Sequence, residues 1–587
     1  MLIGQAGKTK RAATLYVADF ETTTDPADCR VWAWGMVDIE KTASAWHVEI
    51  GQDIGSFMGR VQKESSIVYF HNLRFDGSFI LDYLHRKKYT LIVDGRPRKG
   101  EFTHIISSMN QWYSITIKWD NGNQTEFRDS AKKIRMPVKQ IARTFDLFEK
   151  KGKIDYHEYR KPGHVITREE RSYVVNDVII VAKALKKQLD AGMTKLTSSA
   201  DALAEFKSLA GKSFNDLFPV LSLTMDGEIR DAYRGGFTHP AKRFKGKQIG
   251  PGKTFDVNSL YPSVMYSSLL PYGEPVFREG LPRKSKEYPL FIVSITFTAK
   301  LKKDHVPCIQ IKNSRFHNDV EYQEHIKEPV TLACSNVDLE LWQDHYDMEI
   351  LSYNGGWAFQ GIHGVFNEYI EKWMDIKAVS EGGIRAMAKS MLNDLYGKFA
   401  TNPDVTPNLS RLEDDIIKFA LGDEEMRNPV YTAMGVFITS YAREITVRAA
   451  QANYPRFLYA DTDSLHLTGL EPPVGIEVHP TKLGAWKHEY DFQAAFFARS
   501  KAYAERHYPD ECKKVEHTEC HEDSHDGCHI HRPGGCYEVH ISGMPVHVAD
   551  GLTFDDFTNG RYFTGNLKQK RVPGGVVLVD SGFTLKF

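Results

Sequence analysis

The chain lacks several features that would have narrowed its class at once. No stretch approaches the ~18 consecutive apolar residues of a membrane-spanning helix, so no span is expected. The start, MLIGQAGKTKRAATLYVADF, has no apolar core of the kind a secretory signal carries. Net charge is almost absent: 75 Lys and Arg stand against 76 Asp and Glu. That balance neither announces nor excludes a polyanionic partner, because a neutral total can hide a basic groove beside acidic sites. Cysteine is scarce, seven in 587 residues, which excludes a disulfide framework. Internal repeats and long low-complexity linkers are also missing. These absences lead to the expectation of a soluble intracellular protein.

What is present is ample core material, 42% hydrophobic and 12% aromatic residues. The length suggests roughly three to five domains or subdomains. The first third alternates strand and helix patterns, an α/β signature. ATLYVADFETTT reads as a strand, and SIVYFHNLRFDGSFILDYL as a strand running into a helix. REERSYVVNDVIIVAKALKKQLDAG reads as a helix with apolar residues at helical spacing, stopped by glycine. After about residue 198 the pattern becomes α+β. Residues 270–365 mix short strands with turns, the stretch from about Ser380 to Phe399 is amphipathic, and residues 400–430 read as polar and irregular. FLYADTDSLHL reads as a hairpin, and the tail RVPGGVVLVDSGFTLKF as one or two strands.

Two acidic constellations carry chemistry. Asp19 and Glu21 alternate along a strand and so project from one face. Asp76 lies where a strand gives way to a helix, and Asp177 lies on a later helix with Tyr173 one turn before it. Singly, each has a plain reading, such as a solvated strand end or a common helical neighbour pair. Jointly, four acids in this order form a candidate two-metal site, in which one ion activates water and the other stabilises a leaving phosphodiester oxygen. Hard Mg²⁺ or Mn²⁺ suits carboxylates. The second constellation joins Asp256, at a strand end in FDVNSLYPS, to Asp461 and Asp463 in the hairpin, with the Val257 carbonyl as a further oxygen ligand.

A cationic stripe accompanies it. Arg385, Lys389, Asn393 and Tyr396 are spaced four, four and three apart on one helical face. The plain reading is a solvated stripe. The sharper one is cations for phosphate and an aromatic for a base or sugar. AYRGGFT holds Tyr233, Gly235 and Gly236, where the glycines would let backbone amides approach a phosphate. In RSKAYAE, Lys501 and Tyr503 share a face if the segment is extended.

With these motifs in hand, the chain resembles the protein-primed family B DNA polymerases of small linear-genome phages. DFETTT, FHNLRFDG and YVVND resemble the family's exonuclease motifs. DVNSLYPS, MLNDLYGKFA and YADTDS resemble its polymerase motifs, with YRGG and KAY in order. The resemblance implies an N-terminal RNase H-like 3′–5′ exonuclease and a right-hand polymerase of palm, fingers and thumb. It implies an exonuclease over 1–197, palm over 198–266 and 432–541, and fingers over 365–400. Two insertions tied to the priming protein and to processivity would occupy 267–364 and 401–431, and a thumb 542–587.

Carried over by residue, the resemblance implies metal ligation by Asp19, Glu21, Asp76 and Asp177, water orientation by Tyr173, and assistance by Lys151. Asn72, Phe75 and Ser130 would touch single-stranded DNA. Asp256 and Asp463 would form the catalytic pair with Asp461 beside them. Ser259, Leu260, Tyr261, Lys377, Lys389 and Tyr396 would surround the incoming nucleotide, Tyr261 excluding a 2′-hydroxyl, and Lys501 would contact template–primer. Two Mg²⁺ or Mn²⁺ per site, dNTPs, primer–template DNA and a terminal protein forming a heterodimer are the implied partners, in the cytoplasm of an infected bacterium. A non-catalytic binding factor and a stand-alone exonuclease are the competing readings. The intact carboxylates argue against the first, and the remaining two thirds of the chain against the second.

One stretch departs from the phage pattern. In ECKKVEHTECHEDSHDGCHIHRPGGC, Cys512, Cys520, Cys528 and Cys536 recur every eight residues among histidines. Thiolates and imidazoles are zinc ligands. The readings open here are a structural zinc site over 510–537, a flexible His-rich loop, and incidental metal capture.

Overall fold

A computed structural model of the chain describes residues 13–42, 47–156, 158–311, 322–508, 531–532 and 535–587. Among them, an eight-stranded mixed sheet comes first. Its centre is the strand Thr14–Thr22, antiparallel to Val31–Asp38 on one side and parallel to Ser66–Phe70 on the other. Ser66–Phe70 continues in parallel to Gln124–Asp129. Interior parallel strands are covered on both faces and read as apolar runs, which is what SIVYF is. The helix Arg168–Asp190 lies across Thr14–Thr22 and Val31–Asp38. It starts at a Thr167–Glu170 capping box and gives way to Gly192 at φ +81°. A Cβ on Gly35 would stand 2.5 Å from Val174 Cγ1, so glycine is what lets this helix approach the sheet.

A second, nine-stranded sheet is centred on Gly252–Val257, which runs antiparallel between Ser464–Thr468 and Trp486–Arg499. Phe457–Asp461 and Ser464–Thr468 form the expected hairpin. Behind it lies the helix Thr432–Ala452. Its first eleven residues, TAMGVFITSYA, are buried apart from Tyr441, the pattern of a helix enclosed in core. The helices Asn367–Val379 and Gly382–Phe399 pack on each other, the second matching the expected amphipathic stretch. A four-stranded antiparallel sheet, Leu270–Arg278, Tyr346–Ile362, Leu290–Leu301 and His325–Ser335, carries the helix Asn336–His345.

The expectation of irregular structure across 400–430 is overturned. Asn408–Glu413 and Ile416–Leu421 form a hairpin. Its turn residues Asp414 and Asp415 adopt φ of +52° and +64°, a conformation aspartate tolerates and hairpin turns require. The strands are only six residues each, and IIKFAL is apolar at consecutive positions, so no clean alternation shows in the sequence. This hairpin lies against the first sheet: Ser410 Oγ is 3.0 Å from both His85 Nε2 and His104 Nε2, and Arg86 pairs with Asp415. Phe419 lies between the Trp112 ring and the Arg571 guanidinium. Arg571 belongs to a C-terminal hairpin, Leu567–Val572 with Gly575–Asp580, whose Val576 and Val577 join the core of the first sheet. Among the described residues no helix is long and apolar enough to cross a membrane.

One buried ion pair fastens three of these parts. Asp338, on Asn336–His345, accepts from Arg443 Nη2 at 2.7 Å and Nε at 3.1 Å. Ser440 Oγ donates to the same carboxylate at 2.7 Å. Arg443 Nη1 donates to the carbonyls of Arg234 and Gly235 at 2.6 and 2.9 Å. Burial would raise the Asp338 pKa, but the Arg443 and Arg234 guanidiniums override it and hold it low. Removing one partner leaves the other charged and buried. Asp338→Ala is therefore expected to cost about 3–5 kcal/mol, measured as a lower midpoint of urea unfolding. Glu340→Ala, which breaks the exposed pair with Lys284, is expected to cost about 1 kcal/mol or less.

Candidate active sites: two carboxylate clusters

In the first cluster, Asp19 and Glu21 point from one face of Thr14–Thr22 as the alternation predicts. Asp76 occupies the first turn of the helix Leu73–Arg86 and its Oδ1 accepts from the Phe20 amide at 3.2 Å. Asp177 comes from the helix that Gly35 admits. Its Oδ2 accepts from Lys151 Nζ at 2.6 Å, and its Oδ1 is buried with no hydrogen-bond partner. Burial followed by repulsion from Asp177 lifts the Asp19 pKa to about 7. Burial and its acidic neighbours push Glu21 and Asp76 well above the ordinary carboxylate range. Tyr173 shares a 2.5 Å hydroxyl contact with Tyr156, and Lys151 Nζ stands 5.3 Å over the Tyr173 ring. Asn72, left-handed at φ +76°, is exposed before the same helix. Phe75 is half-buried against Phe79.

In the second cluster, Asp256 ends Gly252–Val257 opposite Ser464. The Asp463 carbonyl accepts from the Val257 amide at 2.8 Å, which clamps the hairpin tip to that strand. Thr462 takes φ +62° at the tip, and Thr446 Oγ1 donates to its carbonyl at 2.6 Å. Asp461 is fully engaged: Lys501 Nζ reaches both its oxygens at 2.9 and 3.0 Å, Thr238 Oγ1 donates at 2.9 Å and Tyr459 Oη at 3.2 Å. Asp256 Oδ1, by contrast, is buried and unpartnered. Burial, then Asp463 and Glu489, raises the Asp256 pKa to about 7, with Lys389 opposing. Burial and Asp461 raise Asp463.

The cationic stripe faces this cluster. Lys377 Nζ donates to Ser259 Oγ at 2.8 Å, and Arg385 Nη1 donates to the Lys377 carbonyl. Burial lowers the Lys377 pKa, and Arg385 and Lys389 lower it further. Cations that repel one another in this way form a place for a polyanion. The rings of Tyr261 and Tyr396 stack at 4.1 Å and 22°. Asn393 is half-buried on the same face.

Several expectations are corrected. Ser130 has no exposed surface. Its hydroxyl donates to the Phe70 carbonyl at 3.0 Å and meets His71 Nδ1 at 3.0 Å, so its side chain braces the Asn72 loop and cannot touch a strand. Gly236 is required for packing: a Cβ there would lie 2.6 Å from Thr462 Oγ1. Gly235 is exposed with open space around its Cα, while Tyr233 is half-buried. Lys501 and Tyr503 do not alternate on a strand, because Lys501 turns at φ +58° before Ala502–His507 begins. Tyr503 packs among Tyr459, His466 and His540. Leu260 buries its side chain, leaving only backbone for a ligand; Val257 is buried too, which is compatible with the carbonyl role expected of it. Of the candidate zinc residues, Cys512, Cys520 and Cys528 lie outside the described residues. Cys536 is buried and disulfide-bonded, so it offers no free thiolate. Sequence reasoning missed Tyr156, although KIDYHEY lies close after Lys151, and missed Glu489 on the strand beside Asp256.

Among the described residues no three His, Cys, Asp or Glu side chains are gathered at ligating distance around one point. The donor set nevertheless suits hard divalent ions. Each cluster holds a buried, unpartnered carboxylate oxygen, and each holds acids whose charges are raised in energy by one another, a strain that a cation relieves.

Residues 58–479 match the model of the family described as DNA polymerase type B, organellar and viral. The chain is 46% identical to the DNA polymerase of Bacillus phage phi29, over 97% of this chain and 99% of that one. It is 31% identical to the DNA polymerase of Streptococcus phage Cp-1, over 97% and 98%. A solved structure of phi29 DNA polymerase complexed with primer-template DNA and incoming nucleotide substrates superposes with a TM-score of 0.89 at 44% identity, covering 98% of this chain and 100% of that chain.

The raised Asp19 pKa has a definite sign. Between the ordinary value of 3.8 and about 7, the folded state keeps a proton that the unfolded state has released, so stability from this group falls as pH rises through that window. In EDTA, the parent protein should lose more stability from pH 4.5 to 7.5 than Asp19→Asn, and Mg²⁺ at pH 7.5 should narrow the gap. Parallel melting curves for the two proteins would contradict this.

Proposed function

The chain belongs to the organellar and viral type B DNA polymerases and is a DNA-directed DNA polymerase, and from that premise we propose that it is a protein-primed replicative enzyme that proofreads its own product. The observation that carries the proposal is the pair of separate carboxylate clusters, each with a buried oxygen free to take a cation. Its substrates in this reading are template–primer DNA and dNTPs. Its partner is a terminal protein that supplies the priming hydroxyl, and its setting is the cytoplasm of an infected bacterial cell.

In the extending site, Asp256 and Asp463 would hold Mg²⁺ or Mn²⁺, with the Val257 carbonyl as a further donor. The ions, when bound, supply charge stabilisation at the attacking and leaving oxygens of phosphoryl transfer. The chain's own residues do the rest. Lys377, Arg385 and Lys389 compensate the triphosphate, and their mutual repulsion is relieved when it arrives. Lys501 holds Asp461 and so keeps the hairpin tip oriented. Tyr396 lines the base pair being formed. Tyr261, stacked on it, closes the space a 2′-hydroxyl would need.

In the degrading site, Asp19, Glu21, Asp76 and Asp177 would hold the same kind of ion. Burial raises the Asp177 pKa, and Lys151 opposes that rise and orients the carboxylate through its 2.6 Å contact. Tyr173, tethered by Tyr156, is available to orient a water. Asn72 and Phe75 receive the unpaired primer end, where stacking and polar contact hold a base without reading it. The domain boundaries implied by the family fit this division. The first insertion would be 267–364 and the second 401–431. The hairpin of the second spans to the first sheet and to the C-terminal hairpin. That bridge supports an enclosed DNA path, and with it processivity and strand displacement.

Asp463→Ala is expected to lower primer extension at least about 1,000-fold while leaving primer shortening intact, and Asp19→Ala to do the reverse. Both are read on a labelled primer–template with and without dNTPs. Loss of both activities in either variant would refute two independent sites. Rolling-circle extension by the purified chain alone tests processivity and displacement.

A further inference from the structure

One charged contact outside both clusters joins the elements that build them. Arg135 follows the Ser130–Lys132 turn of the N-terminal unit, and its side chain is 57% exposed. Its Nη1 donates to Asp394 Oδ1 at 3.0 Å and its Nη2 to Ser198 Oγ at 3.3 Å. Asp394 is 10% exposed and sits on Gly382–Phe399, directly after Asn393 and two residues before Tyr396. Ser390 Oγ donates to its Oδ2 at 2.9 Å, and Ser198 Oγ donates to the same oxygen. Of the groups that bond Asp394, Arg135 is the charged one, so it offsets most of the cost of a carboxylate held away from water.

Both ends of this contact are firmly seated. Two residues before Arg135, the buried Lys133 ammonium donates to Asp201 at 2.5 Å and to the Lys195 carbonyl at 3.0 Å. One residue after it, the Met136 carbonyl accepts from His71 Nε2 at 2.9 Å. The Asp129 carboxylate accepts from the amides of Asn72 and Ala131 at 3.0 and 2.9 Å. The segment that presents Arg135 is thus the segment that supports the Asn72 loop. At its other end the nucleotide helix meets the same unit again: a Cβ on Gly382 would lie 2.6 Å from the Thr144 carbonyl, and one on Gly383 2.4 Å from the Phe145 ring.

We infer that Arg135 is a positioning residue: through Asp394 it sets the helix bearing Lys389, Asn393 and Tyr396 against the segment supporting Asn72, and so tunes dNTP affinity and the balance between extension and degradation. The second half of this inference rests on the proposed reading of the first cluster as the degrading site. The ion pair is one the family motifs do not contain, since Arg135 lies outside them. When it is broken, Asp394 loses the cation that bonds it and is left with the through-space charge of Lys398 on its own helix, so the helix has less reason to stay docked on the N-terminal unit. An undocked helix presents its cations and Tyr396 less well to the nucleotide, and a primer end waiting longer for a nucleotide is degraded more often.

The test compares the full-length parent with Arg135→Ala, Arg135→Lys, Arg135→Asp and the exchanged pair Arg135→Asp with Asp394→Arg, in single-nucleotide incorporation and in primer shortening. Arg135→Ala should raise the dNTP KM about two- to fivefold, the range of a partly exposed ion pair, with a smaller change in kcat. The dNTP concentration at which extension and shortening balance should rise by a similar factor. Degradation of a single-stranded oligonucleotide without dNTPs should stay at the parent rate. Arg135→Lys should keep most of the parent KM, and the exchanged pair should recover most of what Arg135→Asp loses. An unchanged KM in Arg135→Ala, a fall in kcat alone, or an exchanged pair no better than Arg135→Asp would overturn the inference. If Asp19→Ala left degradation intact, the reading of the first cluster would fall instead, while the KM comparison would still decide the role of Arg135.

Discussion

The arrangement of the elements around the second carboxylate cluster depends on one buried guanidinium. Arg443 spends its donors on Asp338 and on the carbonyls of Arg234 and Gly235. It thereby joins the helix of the four-stranded sheet, the helix behind the hairpin that carries Asp461 and Asp463, and the YRGG link from the N-terminal unit. A buried charge pair of this kind adds little net stability over an apolar replacement, but breaking it by halves is costly. Its contribution is to choose one relative placement of three elements. Gly236 and Thr462 then meet at a distance that only glycine permits, so the link presses directly against the turn between Asp461 and Asp463.

A second constraint is set on this frame. Each carboxylate cluster forces like charges together in partly dry surroundings, which raises their pKa values instead of dispersing them. Folding alone does not remove that repulsion. The lysines remove part of it, Lys151 at Asp177 and Lys501 at Asp461. They pair with the acids at the margins and leave Asp256 and one oxygen of Asp177 for a cation. Around the second cluster an excess of positive charge in Lys377, Arg385 and Lys389 mirrors the excess of negative charge, and a metal-bound triphosphate is a ligand that relieves both.

Local patterns were legible wherever one element carried the information. The two-residue alternation of Asp19 and Glu21, the hairpin around Asp461 and Asp463, and the shared helical face of Arg385, Lys389, Asn393 and Tyr396 follow from periodicity alone. Patterns failed where side-chain direction depends on a neighbour. The family resemblance would set Ser130 against single-stranded DNA, yet the Phe70 carbonyl draws its hydroxyl inward. Lys501 reads as a strand residue, yet its left-handed turn swings the ammonium onto Asp461. The hairpin Asn408–Glu413 with Ile416–Leu421 was invisible because its strands are short, lack a clean alternation, and are stabilised by His85, His104 and Trp112 of a distant sheet.

By itself, then, the sequence determined which residue types stand at which local spacing: strand faces, the helix stripe, the acid motifs, and through their order the family. Spacing of two and of 3.6 is a property of the backbone, and it operates within a single element. Only the tertiary structure decided which acids keep a free oxygen, which cations they meet, and which glycines are there for packing. Those outcomes turn on contacts between residues 40 apart, as in Lys501 with Asp461, 105 apart, as in Arg443 with Asp338, and 259 apart, as in Arg135 with Asp394. Burial and electrostatic pairing at such separations are decided by the packing of whole elements, which no local period encodes.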